Sequence, residues 1–279
     1  MEHEWHEVGE RVFRKRFDPC DVTVTAVVGT DGVAVVDTRC SVAEAREVAE
    51  QIRRFTSAPV RWVVNTHAHF DHAWGNAEFL APRQDPPARI WGHASLPARF
   101  DLDDPFVADI LRQMRAAGPE WAAQVAGLEL VPPTELVHES ATIDLGGRLL
   151  ELRHHGRGHT DADLWIRIPD AGVVLAGDLV EESGPPAFGL DSFPMQWAAT
   201  LDRALDWMGP DAIIVPGHGE PVGREFVSTQ RGMIDAVARE IARLHAAGVK
   251  AADAPAEGTW PLTTKELRDA IARGYAELT

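Results

Sequence analysis

The ten residues Thr66 to Gly75, THAHFDHAWG, constrain this chain more than any other stretch. They follow the apolar run Val60 to Asn65 (VRWVVN), so a β-branched strand stops where His67, His69, Asp71 and His72 crowd into six positions. Gly75 and Asn76 then open a turn. A lone histidine is ordinarily solvated or satisfied inside a core, but four ligand-type side chains on one strand-ending loop are not explained by packing. Imidazoles and a carboxylate suit zinc, iron or manganese, and the lack of a neighbouring cysteine argues against a closed structural zinc knot. The HxH spacing lets two imidazoles converge on one ion while Asp71 and His72 turn toward a second.

Length and charge narrow the setting. A chain of 279 residues with 45% hydrophobic content has ample core for one large or two small domains. A formal charge of −16 opposes phosphate-tracking partners, so neither nucleic acid nor an anionic membrane is expected. The start, MEHEWHEVGERVF, is charged throughout and has no apolar core of signal-peptide length. No run is long enough to span a membrane. A cytoplasmic location follows as the expectation, and two cysteines, Cys20 and Cys40, fit a reducing compartment while leaving one disulfide open. Nothing fixes the oligomeric state.

Along the chain, Val22 to Gly29 and Val33 to Asp37 read as a hairpin of buried strands about Thr30-Asp31-Gly32. Ser41 caps a helix expected over Val42 to Phe55, and Val60 to Asn65 is the next strand. Arg89 to Gly92 is a short strand leading to His93. Residues 95–128 read as a helical insertion broken at Pro105, Gly118 and Pro119, which serves either as a lid or substrate wall or as a cap on the sheet. The β pattern restarts with a hairpin over Thr142 to Leu145 and Arg148 to His154, then a strand pair over Leu164 to Ile168 and Val173 to Ala176. A helix over Trp197 to Trp207, a strand at Ala212 to Val215 and a long helix over Arg224 to Ala247 follow. Two sheet-plus-helix halves stacked face to face would make a four-layer αββα sandwich. Residues 1–250 form that domain in this reading, with 251–279 a helical tail packed on it.

Three further motifs fall at strand ends: Gly158-His159-Thr160, Gly177-Asp178 and Pro216-Gly217-His218-Gly219. A glycine before each ligand permits a tight turn and positive φ. In this order after HAHFDH, the set resembles the metallo-β-lactamase superfamily of HxHxDH type, over roughly Val22 to Gly223. That resemblance implies a first metal on His67, His69 and His159, a second on Asp71, His72 and His218, and Asp178 bridging both. His3, His6, His93, His138, His154, His155 and His245 match no ligand position. Thr160, Asp161 and Asp163 either orient ligand imidazoles or are solvated loop residues.

The implied cofactors are two divalent ions, zinc first, with manganese or iron as alternatives. Held roughly 3.5 to 4 Å apart, they would acidify a bridging water and polarise the bond it attacks. The expected function is hydrolysis of a small-molecule ester, thioester or lactone by a metal-bridging hydroxide, with Asp71 handling the proton. Alternatives are a mononuclear iron, persulfide dioxygenase-like oxidoreductase using His67, His159 and Asp178, or a β-lactamase-like amide hydrolase. Trp74 is placed as a pocket wall. Phe188, Phe193 and Trp197, in the loop Glu181 to Trp197, are placed as substrate contacts or as seats for the following helix.

Overall fold

The computed structural model describes residues 4–279; His3 lies outside them. The strands are β1 (His6–Gly9), β2 (Val12–Phe17), β3 (Val22–Val28), β4 (Val33–Val36), β5 (Val60–Val64), β6 (Arg89–His93), β7 (Glu135–Val137), β8 (Ser140–Asp144), β9 (Leu149–Arg153), β10 (Trp165–Ile168), β11 (Val173–Glu181) and β12 (Ile213–His218). The helices are α1 (Val42–Ile52), α2 (Phe70–Ala73), α3 (Pro105–Ala117), α4 (Pro119–Gln124), α5 (Pro194–Trp207), α6 (Arg224–Ala246), α7 (Ala254–Glu257) and α8 (Thr264–Leu278).

Strand order runs β7-β6-β5-β4-β3-β12-β11-β10-β9-β8, with β2 also on β3 and β1 on β2. β3 and β12 meet at the single register pair His218 and Val22, so the two halves are joined loosely and fold over each other. One core cluster fills the space between them, with Val27, Ala34, Val36 and Val64 from the first half against Leu150, Leu152, Ile166 and Val215 from the second. A second cluster seats α1 on the outer face of the first half through Ala45, Val48, Ala49 and Ile52. A third seats α5, α6 and α8 on the second half through Leu201, Ile234, Val237, Ile241 and Leu267. These are the four layers of an αββα sandwich.

Local sequence explains the elements. β3 (VTVTAVV) is buried at all seven positions, which suits β-branched residues in a strand covered on both faces. Ser41 begins α1 by accepting from Glu44 N at 3.3 Å, a cap that contributes about 1 kcal/mol. Thr263 and Glu266 form a reciprocal capping box that starts α8. Burying the apolar face of α6 contributes about 1.5–3 kcal/mol for each large side chain.

The charged N-terminal stretch, to which the sequence reading assigns no element, is the β1-β2 ribbon. Arg14 and Lys15 are buried because Arg14 pairs with Glu220 and Lys15 donates to Gln51 Oε1 at 3.0 Å. Among the described residues no helix is long and apolar enough to cross a membrane.

Candidate metal centre

Every candidate ligand sits where a strand or its following loop reaches one rim of the sandwich. His67 and His69 follow β5, Asp71 and His72 lie in α2, His159 precedes β10, Asp178 is within β11, and His218 ends β12. His159 Nε2 and His69 Nδ1 are 2.9 Å apart, and His72 Nε2 and His218 Nε2 are 3.3 Å apart. Asp178 stands between the two sets. Its Oδ1 is 3.1 Å from His72 Nε2, and its Oδ2 is 3.4 Å from both His159 Nε2 and His218 Nε2 and 3.7 Å from His67 Nε2. Asp71 Oδ2 lies 3.4 Å from His218 Nε2. The structure therefore gathers all seven sequence candidates.

Two glycines make the approach possible, for different reasons. Gly177 has φ +52° and turns β11 into Asp178. Gly217 has no positive φ, nor has Gly158, contrary to the sequence expectation; a Cβ at Gly217 would overlap Asp178 Oδ1, so glycine is required there for closeness instead.

The outer nitrogen of each ring is already bound. His72 Nδ1 donates to Asp37 Oδ2 (2.7 Å), His218 Nδ1 to the Cys20 carbonyl (3.0 Å), His159 Nδ1 to the Ala187 carbonyl (3.0 Å) and His69 Nε2 to Asp191 Oδ2 (3.2 Å). Thr66 Oγ1 donates to Asp37 Oδ2 (2.8 Å) and so accepts from His67 Nδ1 (3.0 Å). With these acceptors keeping the N–H on each outer nitrogen, the inner nitrogens face the centre, which is how metal-binding imidazoles are held. Asp37, buried at φ +65°, also accepts from Thr66 N at 2.8 Å and thereby fixes two rings at once.

Electrostatics divides the rim. Burial holds His67 well below its ordinary value and His159 down at about 4. Burial also lowers His72 and His218, but Asp178 and Asp71 overcome it, raising His72 well above the usual range and His218 to about 10. Burial, with Asp178 beside it, pushes the Glu181 carboxyl up to about 8. His67 Nε2 is buried without any hydrogen-bond partner, and Asp178 Oδ1 is buried with no aligned one, its near neighbour being His72 Nε2 at 3.1 Å. Converging lone pairs, carboxylates and orphaned inner atoms are what a divalent cation satisfies, so the His/Asp cluster fits metal ions. His67, His69, His159 and Asp178 form one ligand-competent group, and Asp71, His72 and His218 another.

The aromatic candidates are placed differently. Trp74 is fully buried against α3, among Val107, Leu111 and Met114. Trp197 is fully buried behind His159, 5.7 Å between centroids, with Phe188 edge-on to it at 5.2 Å. Phe193 has the Arg157 and Arg273 guanidinium carbons 4.8 and 5.1 Å from its centroid. Thr160 and Asp163 bond each other through Thr160 N and Oγ1 rather than a ligand ring. Sequence reasoning missed Asp37, Asp191 and Phe106, the last stacked on His69 at 5.8 Å from α3. An aspartate ending the apolar run VAVV was the one local signal, for Asp37.

The family model described as Metallo-beta-lactamase superfamily matches residues 17–218. A linear primary-alkylsulfatase of Pseudomonas sp. is 26% identical over 71% of this chain and 41% of its own. An acyl-coenzyme A thioesterase of Bos taurus is 27% identical over 58% of this chain and 57% of its own. The chain thus spans about half the length of these curated relatives. The solved structure of a stereoselective inverting sec-alkylsulfatase from Pseudomonas sp. superposes with a TM-score of 0.76 at 17% identity, over 99% of this chain and 50% of that one.

Proposed function

This chain belongs to the metallo-β-lactamase superfamily, and from that premise we propose that it is a metal-dependent hydrolase that uses two ions to cleave a small ester or thioester with an apolar acyl chain. The observation that carries the reading is the buried, unpartnered His67 Nε2 facing Asp178 inside a ring of imidazoles whose outer nitrogens are all engaged. His67, His69 and His159 would hold the first ion and Asp71, His72 and His218 the second, with Asp178 facing both. Zinc suits three imidazoles and a carboxylate. When bound, such ions acidify water and polarise the scissile bond.

The chain's own residues do the rest. Asp71 has one oxygen toward His218 and would take the proton in this reading. Asp37 and Asp191 keep His72 and His69 from rotating. The serine that does meet a histidine, Ser95 donating to His93 Nδ1 at 2.8 Å, belongs to the end of β6 and not to the ligand set, and Cys20 Sγ faces Cys40 Sγ at 3.7 Å.

For the substrate, Phe106 covers the face of His69, Phe70 lies half-buried beside the same loop, and Leu190, next to Asp191, is 60% exposed. Apolar surface beside ligand residues suits an acyl or alkyl chain. An alkyl sulfate ester is the second reading, favoured by the 26% identical relative named as an alkylsulfatase. Both relatives' named substrates join an apolar chain to an anionic group across the bond that breaks.

The test is metal content per chain by elemental analysis, beside hydrolysis of an acyl thioester, an oxyester, a lactone, an alkyl sulfate and nitrocefin. Two ions with chelator-sensitive turnover of an acyl ester or thioester are expected. One iron per chain and no hydrolysis would overturn the reading and move the protein to the oxidoreductase branch.

A further inference from the structure

Glu181 is the last residue of β11 and is none of the seven ligand candidates. The parallel register sets it opposite His218 on β12, and its backbone N–H is fixed by Gln230 Oε1 at 2.9 Å. The side chain is buried, and one of its oxygens, a carboxylate oxygen of Asp178 and a ring nitrogen of His218 all lie within 4.8 Å of one another. Its side-chain hydrogen bond comes from Ser183 Oγ at 3.2 Å. Asp178, His218 and His72 are the charged groups that act on it most strongly.

A buried carboxylate beside another buried carboxylate is costly unless a positive charge stands close by. Two divalent ions bring four formal positive charges, of which Asp71 and Asp178 offset two. We propose that Glu181 is a further metal-ligating residue, serving the ion held by Asp71, His72 and His218. This rests on the dinuclear reading above. It makes the second half of the centre oxygen-rich, with three carboxylates and two imidazoles, against three imidazoles and the shared Asp178 in the first. Oxygen donors suit harder cations, so the second position accepts manganese more readily than the first.

The test strips metal from the purified wild type, Glu181→Gln and Glu181→Asp, then adds Zn2+ or, separately, Mn2+. Ions per chain are read by elemental analysis after dialysis, and each affinity by competition with a chromophoric chelator. The wild type is expected to hold two ions. Glu181→Gln should keep the first at wild-type affinity and weaken the second by more than the roughly 10–100-fold that an outer partner controls, with the larger loss for Mn2+. Glu181→Asp, which retains the charge on a shorter arm, should fall between. If Glu181→Gln does not fold, as judged by circular dichroism, Glu181→Asp decides: a loss confined to the second ion supports the assignment, and two wild-type affinities overturn it. Two ions held by Glu181→Gln as tightly as by the wild type overturn the assignment and leave the dinuclear reading standing. Fewer than two ions on the wild type overturn both.

Discussion

His67 and His93 stand at the ends of neighbouring strands, β5 and β6, and each has a second imidazole equally near. The His67 and His72 rings are 4.2 Å apart, and so are those of His93 and His154. Proximity is the same in the two places, yet the nitrogens are spent differently. His93 Nδ1 accepts from Ser95 Oγ at 2.8 Å while Nε2 donates to the His138 carbonyl at 3.2 Å, and His154 Nδ1 donates to the Asp163 carbonyl at 2.9 Å. At the metal rim the outer nitrogens are held by groups around the site, while the inner ones face one another and Asp178 and Asp71 reach in among them. A metal centre is therefore specified by which nitrogen is left over and by carboxylates that demand a cation. Clustered histidines do not suffice.

The sharpest way to break that comparison is to remove the carboxylate. Asp178→Asn should lose at least one ion per chain and lower kcat/KM by more than the roughly 10–100-fold that outer partners control. His93→Gln, in contrast, should retain both ions and wild-type turnover. Elemental analysis and steady-state kinetics on the two variants check this. An ion lost from His93→Gln would show that the second cluster feeds the first.

A smaller effect is expected from the outer partners themselves. Asp37→Asn keeps the shape but weakens the acceptor for His72 Nδ1 and for Thr66, so His72 is no longer held in one tautomer. Metal affinity should fall roughly 10–100-fold, read by chelator competition. Unchanged affinity would mean that the ligand backbone alone orients the rings, and the contrast with His93 would then rest on the carboxylates only.

The two regions also differ in how well sequence anticipates them. The seven ligand candidates are legible because each lies at or near a strand end or in the loop or short helix that follows one, and a sandwich collects strand ends at one rim. The strand hairpins and the long helices are legible for the same local reason, since their apolar periods are carried within each segment. What fixes the ligands is not local: Asp37 meets His72 across 35 positions, and Asp191 meets His69 across 122. Phe106 reaches His69 from an insertion whose sequence says only that it is helical. The β1-β2 ribbon was hidden by its charges, because the partner that lets Arg14 be buried, Glu220, is 206 residues away. Long-range polar pairing leaves no period in a sequence, and apolar burial does.

The smallest effect expected concerns pH, and it separates the histidines outside the metal rim from those within it. Burial, aided by His154, brings His93 down to about 4, and burial with Arg153 and Arg203 nearby brings His155 to about 4. In the unfolded chain both would titrate near the ordinary value of about 6.5. Between these values the unfolded state binds more protons, so stability conferred by the neutral rings is whole above about pH 6.5 and drains away as pH falls toward 4. Both side chains are partly exposed, which screens the effect. Metal-free protein melted across this range should lose stability on acidification, and His93→Gln with His155→Gln should flatten the slope without altering metal content measured at neutral pH. An unchanged slope in the double variant would assign the acid sensitivity to the metal-rim histidines, and the two clusters would then differ in ligand geometry but not in proton binding.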